Sequence, residues 1–227
     1  MELRERLERF HDTDLYVVIT EDFCTPRSAT DVLDACLDAG VGIVQLREKE
    51  ADDRSLYERA LAFRERTLAA NALLIIDDRV DIALAVEADG VHLGRSDLPI
   101  DLARWLAPQR IVGASSHSIE QALEAQDAGA GYVNIGPIFA TQTKTGTADP
   151  VGPELIEVIA PQLAIPFTCM GGIKRDNIHE VLERGARHVA VVTAVTAADD
   201  PRAAAQALRE ACTEYRLRAA SSGEGAA

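Results

Sequence analysis

Only three of the 227 residues are lysines, Lys49, Lys144 and Lys174, and each follows an apolar or small-residue run. Lys49 lies in VQLREKE (44–50), Lys144 in TQTKTGT (141–147), and Lys174 directly after GGI (171–173). Alternation along an extended strand puts Gln45, Arg47 and Lys49 on one side and Leu46 and Glu48 on the other. Lysine is a compact phosphate-binding charge, and Arg47 can clamp phosphate oxygens bidentately. A solvated helix start would explain REKE (47–50) alone, but the company of the other two lysines favours an anion site.

Asp78 and Asp97 form the next candidate pair. Two carboxylates facing a cationic phosphate site suit Mg²⁺, which usually takes one or two carboxylates together with substrate phosphates. Ordinary helix capping competes with this, because Asp97 precedes Leu98-Pro99. The pair GG (171–172) with Lys174, and Thr193 at the end of a later apolar run, fits a second phosphate site in which glycine lets backbone N–H groups approach the anion. His117 reads as a helix-start residue and His92 as a packing residue within a strand. No nucleophile elbow or Ser/His/Asp order appears, so nucleophilic catalysis is not expected.

The net charge of −14 and pI near 4.7 argue against nucleic acid, which draws on a basic field. Scarce lysine beside abundant Asp, Glu and Arg fits a high-salt or high-GC source. Small phosphorylated substrates are the expected partners, held where local cations overcome the global field; a homo-oligomer is compatible with the sequence. The four cysteines, Cys24, Cys36, Cys169 and Cys212, are widely spaced without metal-ligand spacing, as in a reduced cytoplasmic protein. No apolar run approaches the roughly 20 residues of a membrane span, and MELRERLERF (1–10) reads as a charged amphipathic helix without a signal core.

These residues need a scaffold that gathers strand ends. Eight short, β-branched runs (14–20, 42–48, 72–77, 90–94, 111–115, 132–139, 166–172 and 188–195) alternate with helical patterns. Most are apolar on both faces, as strands of a buried parallel sheet are. Ser118 with Gln121 resembles a capping box, Pro153 and Pro201 suit first-turn positions, and Asp200 suits a cap. DAG (38–40), DAG (127–129) and ERG (183–185) read as helix stops. The pattern predicts a single α/β domain over 1–217, a (β/α)8 TIM barrel with a short N-terminal helix, and a disordered tail over 218–227. A doubly wound open sheet would want a Gly-rich turn after the first strand, and TEDFCTP (20–26) is unlike one. In a barrel, the candidate residues fall at the C-terminal rim, where the chemistry of this fold gathers.

Over residues 14–201 the chain resembles the thiamine phosphate synthase family. The resemblance rests on QLREK (45–49), DDRVDIAL (77–84), ADGVHLG (88–94) with SD (96–97), GAS (113–115), GPIFATQTK (136–144), GGI (171–173) and VVTAV (191–195). It implies a transferase that joins 4-amino-2-methyl-5-hydroxymethylpyrimidine diphosphate to thiazole phosphate, giving thiamine phosphate and pyrophosphate by dissociative loss of the diphosphate. It further implies that Gln45, Leu46, Arg47, Glu48, Lys49, Asp77, Ser115 and Lys144 hold the pyrimidine diphosphate. Arg47, Lys49 and Lys144 would stabilise the leaving group, and Asp78 and Asp97 would hold Mg²⁺. Thr141, Gln142, Thr143, Gly172, Val192 and Thr193 would hold the thiazole phosphate.

One position departs from the family's pattern. Asp77 stands where Asn is usual, and an ionised carboxylate only accepts hydrogen bonds. Entry of Asp77 into the metal shell would raise the Mg²⁺ requirement. TQTKTGT (141–147) is the candidate lid, and Lys174 meets a phosphate or merely lines the rim. A thiazole tautomerase is the nearest rival; its resemblance calls for a histidine where this chain has Pro137, and it has no use for QLREK with a metal pair. A non-catalytic thiamine-precursor binder, and another phosphate-handling barrel, are further alternatives.

Overall fold

The computed structural model describes residues 1–141 and 149–222. Eight strands, β1 (Leu15–Ile19), β2 (Ile43–Leu46), β3 (Leu73–Asp77), β4 (Gly90–Leu93), β5 (Ile111–Ser116), β6 (Tyr132–Ile135), β7 (Phe167–Met170) and β8 (His188–Val191), close into a barrel in chain order. Every pairing is parallel, including β1 with β8, so the open-sheet alternative is excluded.

Among the described residues ten helices surround or cap the barrel: α1 (Leu3–His11), α2 (Ala29–Asp38), α3 (Asp53–Ala69), α4 (Val80–Ala85), α5 (Ile100–Leu106), α6 (Ile119–Asp127), α7 (Glu154–Ile159), α8 (Ile178–Leu182), α9 (Thr193–Thr196) and α10 (Pro201–Ser222). Strand alternation divides the apolar residues into two layers. Leu15, Val17, Val44, Leu46 and Val91 pack outward against the helices, while Tyr16, Val18, Ile43, Leu73, Ile75, Ile111 and Tyr132 fill the barrel. The two layers explain why most strands read as continuous apolar runs.

Local signals in the sequence set the helix ends. The α2, α6 and α8 segments run into Gly40, Gly129 and Gly185, all with positive φ (77°, 94° and 97°), so the three repeated stops share one left-handed turn. Ser118 Oγ caps α6 by accepting from Gln121 N at 3.3 Å, but Gln121 answers to His117 N at 2.8 Å and not to Ser118 N. Asp200 Oδ1 accepts from Ala203 N at 3.0 Å at the start of α10.

Three boundaries differ clearly from expectation. The eighth run, read as strand to 195, ends at Val191, and Thr193–Thr196 turns into α9. The sixth run ends at Ile135, because Pro137 has no N–H to donate to a ladder. The tail predicted from 218 remains helical through Ser222, where Arg218, Ala219 and Ala220 are all good helix formers.

At the N-terminal end, α1 closes the barrel. Its Phe10 is fully buried and stacks on Tyr132 with ring centroids 4.6 Å apart. Buried Arg6 pairs with Asp89 at 3.3 Å, and Asp89 also receives Arg64 Nη1 at 2.8 Å and Leu74 N at 3.0 Å.

Candidate active site at the C-terminal rim

β2 runs straight into the basic segment, whose side chains part as alternation requires. Gln45 is buried on the barrel side. Leu46 packs fully buried in the outer layer, so any contribution it makes to a ligand comes from its backbone. Glu48 also turns outward, accepting from Glu21 N at 2.9 Å and pairing with Arg59 Nη1 at 2.7 Å. That bond and Arg47 N donating to Ile19 O at 2.9 Å tie the segment to the end of β1 and to α3.

Arg47 and Lys49 face inward and meet Asp77. Arg47 Nε lies 3.4 Å and Lys49 Nζ 3.2 Å from Asp77 Oδ2. That oxygen is buried and completes no hydrogen bond of good geometry, so it serves both cations as a counter-charge. Lys49 also bonds Asp78. Burial alone would lower the Lys49 ammonium, but Asp77 and Asp78 outweigh it and hold its pKa above the ordinary value.

Asp78 adopts a left-handed backbone (φ 58°) just past β3, anchored by its N–H donating to His92 O at 2.8 Å. This turn separates the two adjacent carboxylates: Asp77 meets Arg47 and Lys49, and Asp78 meets Lys49 and Asp97. Burial first, then the charge on Asp77 and the hydrogen bond to Asp97, push the Asp78 carboxyl up to about 6, against the pull of Lys49. Burial also acts to raise Asp97, but hydrogen bonds from Asp78 and Gly94 N hold it below the usual carboxylate range. Asp97 Oδ2 accepts from Gly94 N at 2.7 Å, while Pro99 occupies the cap position of α5, so Asp97 is not that helix's cap.

The acidic pair fits a divalent cation. Among the described residues Asp78 Oδ1 is buried and accepts no hydrogen bond of good geometry, an acceptor whose chemistry suits a cation. Among the described residues no group of three or more His, Cys, Asp or Glu converges.

Ser115, at the end of β5, lies with its Oγ 3.0 Å from His92 Nε2. Thr141 follows β6, whereas Gln142, Thr143 and Lys144, with the rest of the candidate lid up to residue 147, lie outside the described residues. Gly171 (φ 104°) and Gly172 (φ 65°) are demanded by the loop after β6. A Cβ on Gly171 would meet Pro137 Cβ at 2.5 Å, and one on Gly172 would meet Ala140 O at 2.7 Å. Asn177 fixes this turn by donating to Gly172 O at 3.0 Å and accepting from Lys174 N at 2.7 Å. Lys174 itself is exposed on the rim. Val192 and Thr193 open α9 directly after β8.

The residues set aside as bland remain so, with one exception. His117 contacts Gly136 O through its ring. The four cysteines are free and buried, and burial raises every thiol, as befits inert core residues. The exception is His92, whose ring contacts both Ser115 and the buried Tyr132. Its alternation within β4 placed it inside the barrel, but no local signal revealed a partner 40 residues away.

Comparison with known proteins agrees with this arrangement. The sequence profile of the family described as thiamine monophosphate synthase matches residues 15–195. The chain is similar to the thiamine-phosphate synthases of Chloroflexus aurantiacus (45% identity, 87% of this chain and 92% of that one) and Pelotomaculum thermopropionicum (42%, 91% and 95%). It is 41% identical to that of Haloarcula marismortui, covering 90% of this chain and 99% of the relative. Among solved structures, the thiamine phosphate pyrophosphorylase from Pyrococcus furiosus superposes with a TM-score of 0.84 at 39% identity, over 92% of this chain and 98% of that one. With rim, acidic pair and motifs in the expected order, the chain belongs to the thiamine monophosphate synthase family and is an enzyme of that transferase class.

Proposed function

We propose that the rim binds an aminopyrimidine diphosphate and a thiazole phosphate and joins them through Mg²⁺-assisted loss of pyrophosphate. The observation that carries this reading is the convergence of Arg47 and Lys49 beside the Asp78–Asp97 pair. Cations and a metal-competent acidic pair stand together, and among the described residues no activated nucleophile stands with them.

The chemistry follows from that composition. The C–O bond between the pyrimidine methylene and the diphosphate breaks, and its electron pair leaves with pyrophosphate. The thiazole nitrogen lone pair then forms the new C–N bond. Preorganised positive charge at the leaving oxygens is the largest help a site can give such a step. Arg47 and Lys49 supply it from β2, and Lys144 would add to it from the loop after β6. Asp78 and Asp97 would hold a Mg²⁺ ion, whose charge eases departure of the diphosphate. Gln45 and Ser115 face the barrel axis; Gln45 would orient the pyrimidine end and Ser115 would meet the methylene-linked diphosphate. The second anion would sit between Gly172 and the start of α9, with Val192 and Thr193, and Thr141, Gln142 and Thr143 would be its further ligands. The cytoplasm, where both phosphorylated precursors would be retained, is the compartment proposed for this reaction.

The test is pyrophosphate release from the purified protein with both substrates and Mg²⁺, with and without chelator, at low and at high KCl. Metal-dependent release that requires the thiazole partner, with thiamine phosphate forming in step, is expected. No release from a folded protein at any salt concentration would overturn the reading.

A further inference from the structure

Beneath the rim, four polar side chains form one hydrogen-bonded line through the barrel. Tyr16 Oη lies 2.9 Å from Tyr132 Oη, which lies 2.9 Å from His92 Nδ1, and His92 Nε2 lies 3.0 Å from Ser115 Oγ. Both phenols are buried, and burial raises both pKa values well above the ordinary tyrosine range, so both keep their protons. The space is made for them: a Cβ on Gly113 would overlap the tip of the Tyr132 ring.

The line has a direction. Each phenol carries one hydrogen to donate, and an unmatched buried donor is costly. If Tyr16 donates to Tyr132, and Tyr132 to His92 Nδ1, both phenolic hydrogens are used. In the reverse sense the Tyr16 hydrogen would have no acceptor among the hydrogen bonds of the described residues. The forward sense leaves the imidazole hydrogen on Nε2, aimed at Ser115 Oγ, so the serine hydroxyl hydrogen must point elsewhere. We infer that His92 is a positioning residue, held in its Nε2–H tautomer by Tyr132 and Tyr16, that makes Ser115 an obligate donor to a substrate oxygen. This rests on the proposed function in one respect, that the oxygen belongs to the pyrimidine diphosphate.

Two measurements test it. In long-range ¹H–¹⁵N spectra of histidine-labelled wild type, His92 is expected to carry its hydrogen on Nε2; a hydrogen on Nδ1 overturns the inference. In kinetics, Tyr132→Phe is expected to lower kcat/KM for the diphosphate substrate about tenfold, the worth of one ordinary hydrogen bond. In a Ser115→Ala background the same substitution is expected to change kcat/KM less than about twofold, because the hydroxyl it directs is gone. An equal loss in both backgrounds would mean that Tyr132 merely supports the barrel, and the inference fails. The spectrum needs no variant, so a poorly folding Tyr132→Phe leaves the inference exposed to disproof. A wild type that releases no pyrophosphate condemns the proposed function, and the tautomer then judges the hydrogen-bonded line separately.

Discussion

Lys49 Nζ stands 3.2 Å from Asp77 Oδ2 and also bonds Asp78, so one ammonium bridges two adjacent carboxylates that otherwise face different partners. Asp77 Oδ2 also takes Arg47 Nε at 3.4 Å. The site therefore carries an internal anion at the very cations proposed to receive the diphosphate, and a diphosphate bound there would compete with it.

Asp77→Asn removes that competitor while keeping the side-chain shape. Inorganic pyrophosphate is expected to bind the variant about tenfold more tightly by isothermal titration, the effect of deleting one unfavourable charge contact near a surface. Membership of the metal shell would instead lower the Mg²⁺ concentration for half-maximal activity and leave pyrophosphate affinity unchanged. Tighter pyrophosphate with an unaltered Mg²⁺ requirement is the outcome expected from the geometry.

Asp78→Asn removes a carboxylate whose buried Oδ1 accepts no hydrogen bond among the described residues. Activity at fixed Mg²⁺ is expected to fall by more than the roughly 10–100-fold typical of outer-shell losses. Metal affinity measured by titration should fall in parallel. Retention of wild-type metal affinity would remove Asp78 from the metal site.

Asp89→Ala strips the shared carboxylate from Arg6 and Arg64 and leaves two guanidiniums short of a partner. Breaking a buried pair in this way costs about 3–5 kcal/mol, read as a lower midpoint in urea unfolding. A loss within 0.5 kcal/mol would show that α1 is not anchored there.

His188 is buried, and burial first, then the charge of Arg216, lowers its pKa to about 4, against the bond its ring makes to Thr13 O. Because the folded value lies below the unfolded one near 6.5, the associated stability is fully present above pH 6.5 and is lost as the pH falls towards 4. The full span is worth roughly 3 kcal/mol. His188→Gln should flatten that part of the stability–pH curve in denaturant titrations at pH 7 and pH 4.5. An unchanged slope would place the acid sensitivity elsewhere.

Much of this was legible from residue types. The strands announced themselves because both faces of each are buried, and the three glycine stops because a left-handed turn ends α2, α6 and α8. The rim assignments of Arg47, Lys49, Asp78 and Asp97 followed from where the apolar runs stopped. What the sequence could not convey was which neighbour each side chain would choose. Residue types assigned Asp77 and Asp78 different expected roles but not their partners: the positive φ at Asp78 turns it towards Asp97, Asp77 meets Arg47, and both share Lys49. Gly171 and Gly172 suggested room for a phosphate, whereas part of their necessity is the backbone of the loop after β6 pressing on them. His92 looked like packing because its partners come from β5 and β6, and contacts across strands carry no local periodicity.

Barrels are commonly divided into an end that keeps the fold together and an end that does the chemistry. Tyr132 belongs to both: its ring face lies against Phe10 of α1, and its hydroxyl lies against His92 beneath the rim. The amino-terminal segment is therefore wired to the reaction centre by a single aromatic ring. An affinity tag, fusion or trimming that disturbs residues 1–12 would tilt that ring and retune catalysis without touching any residue at the mouth.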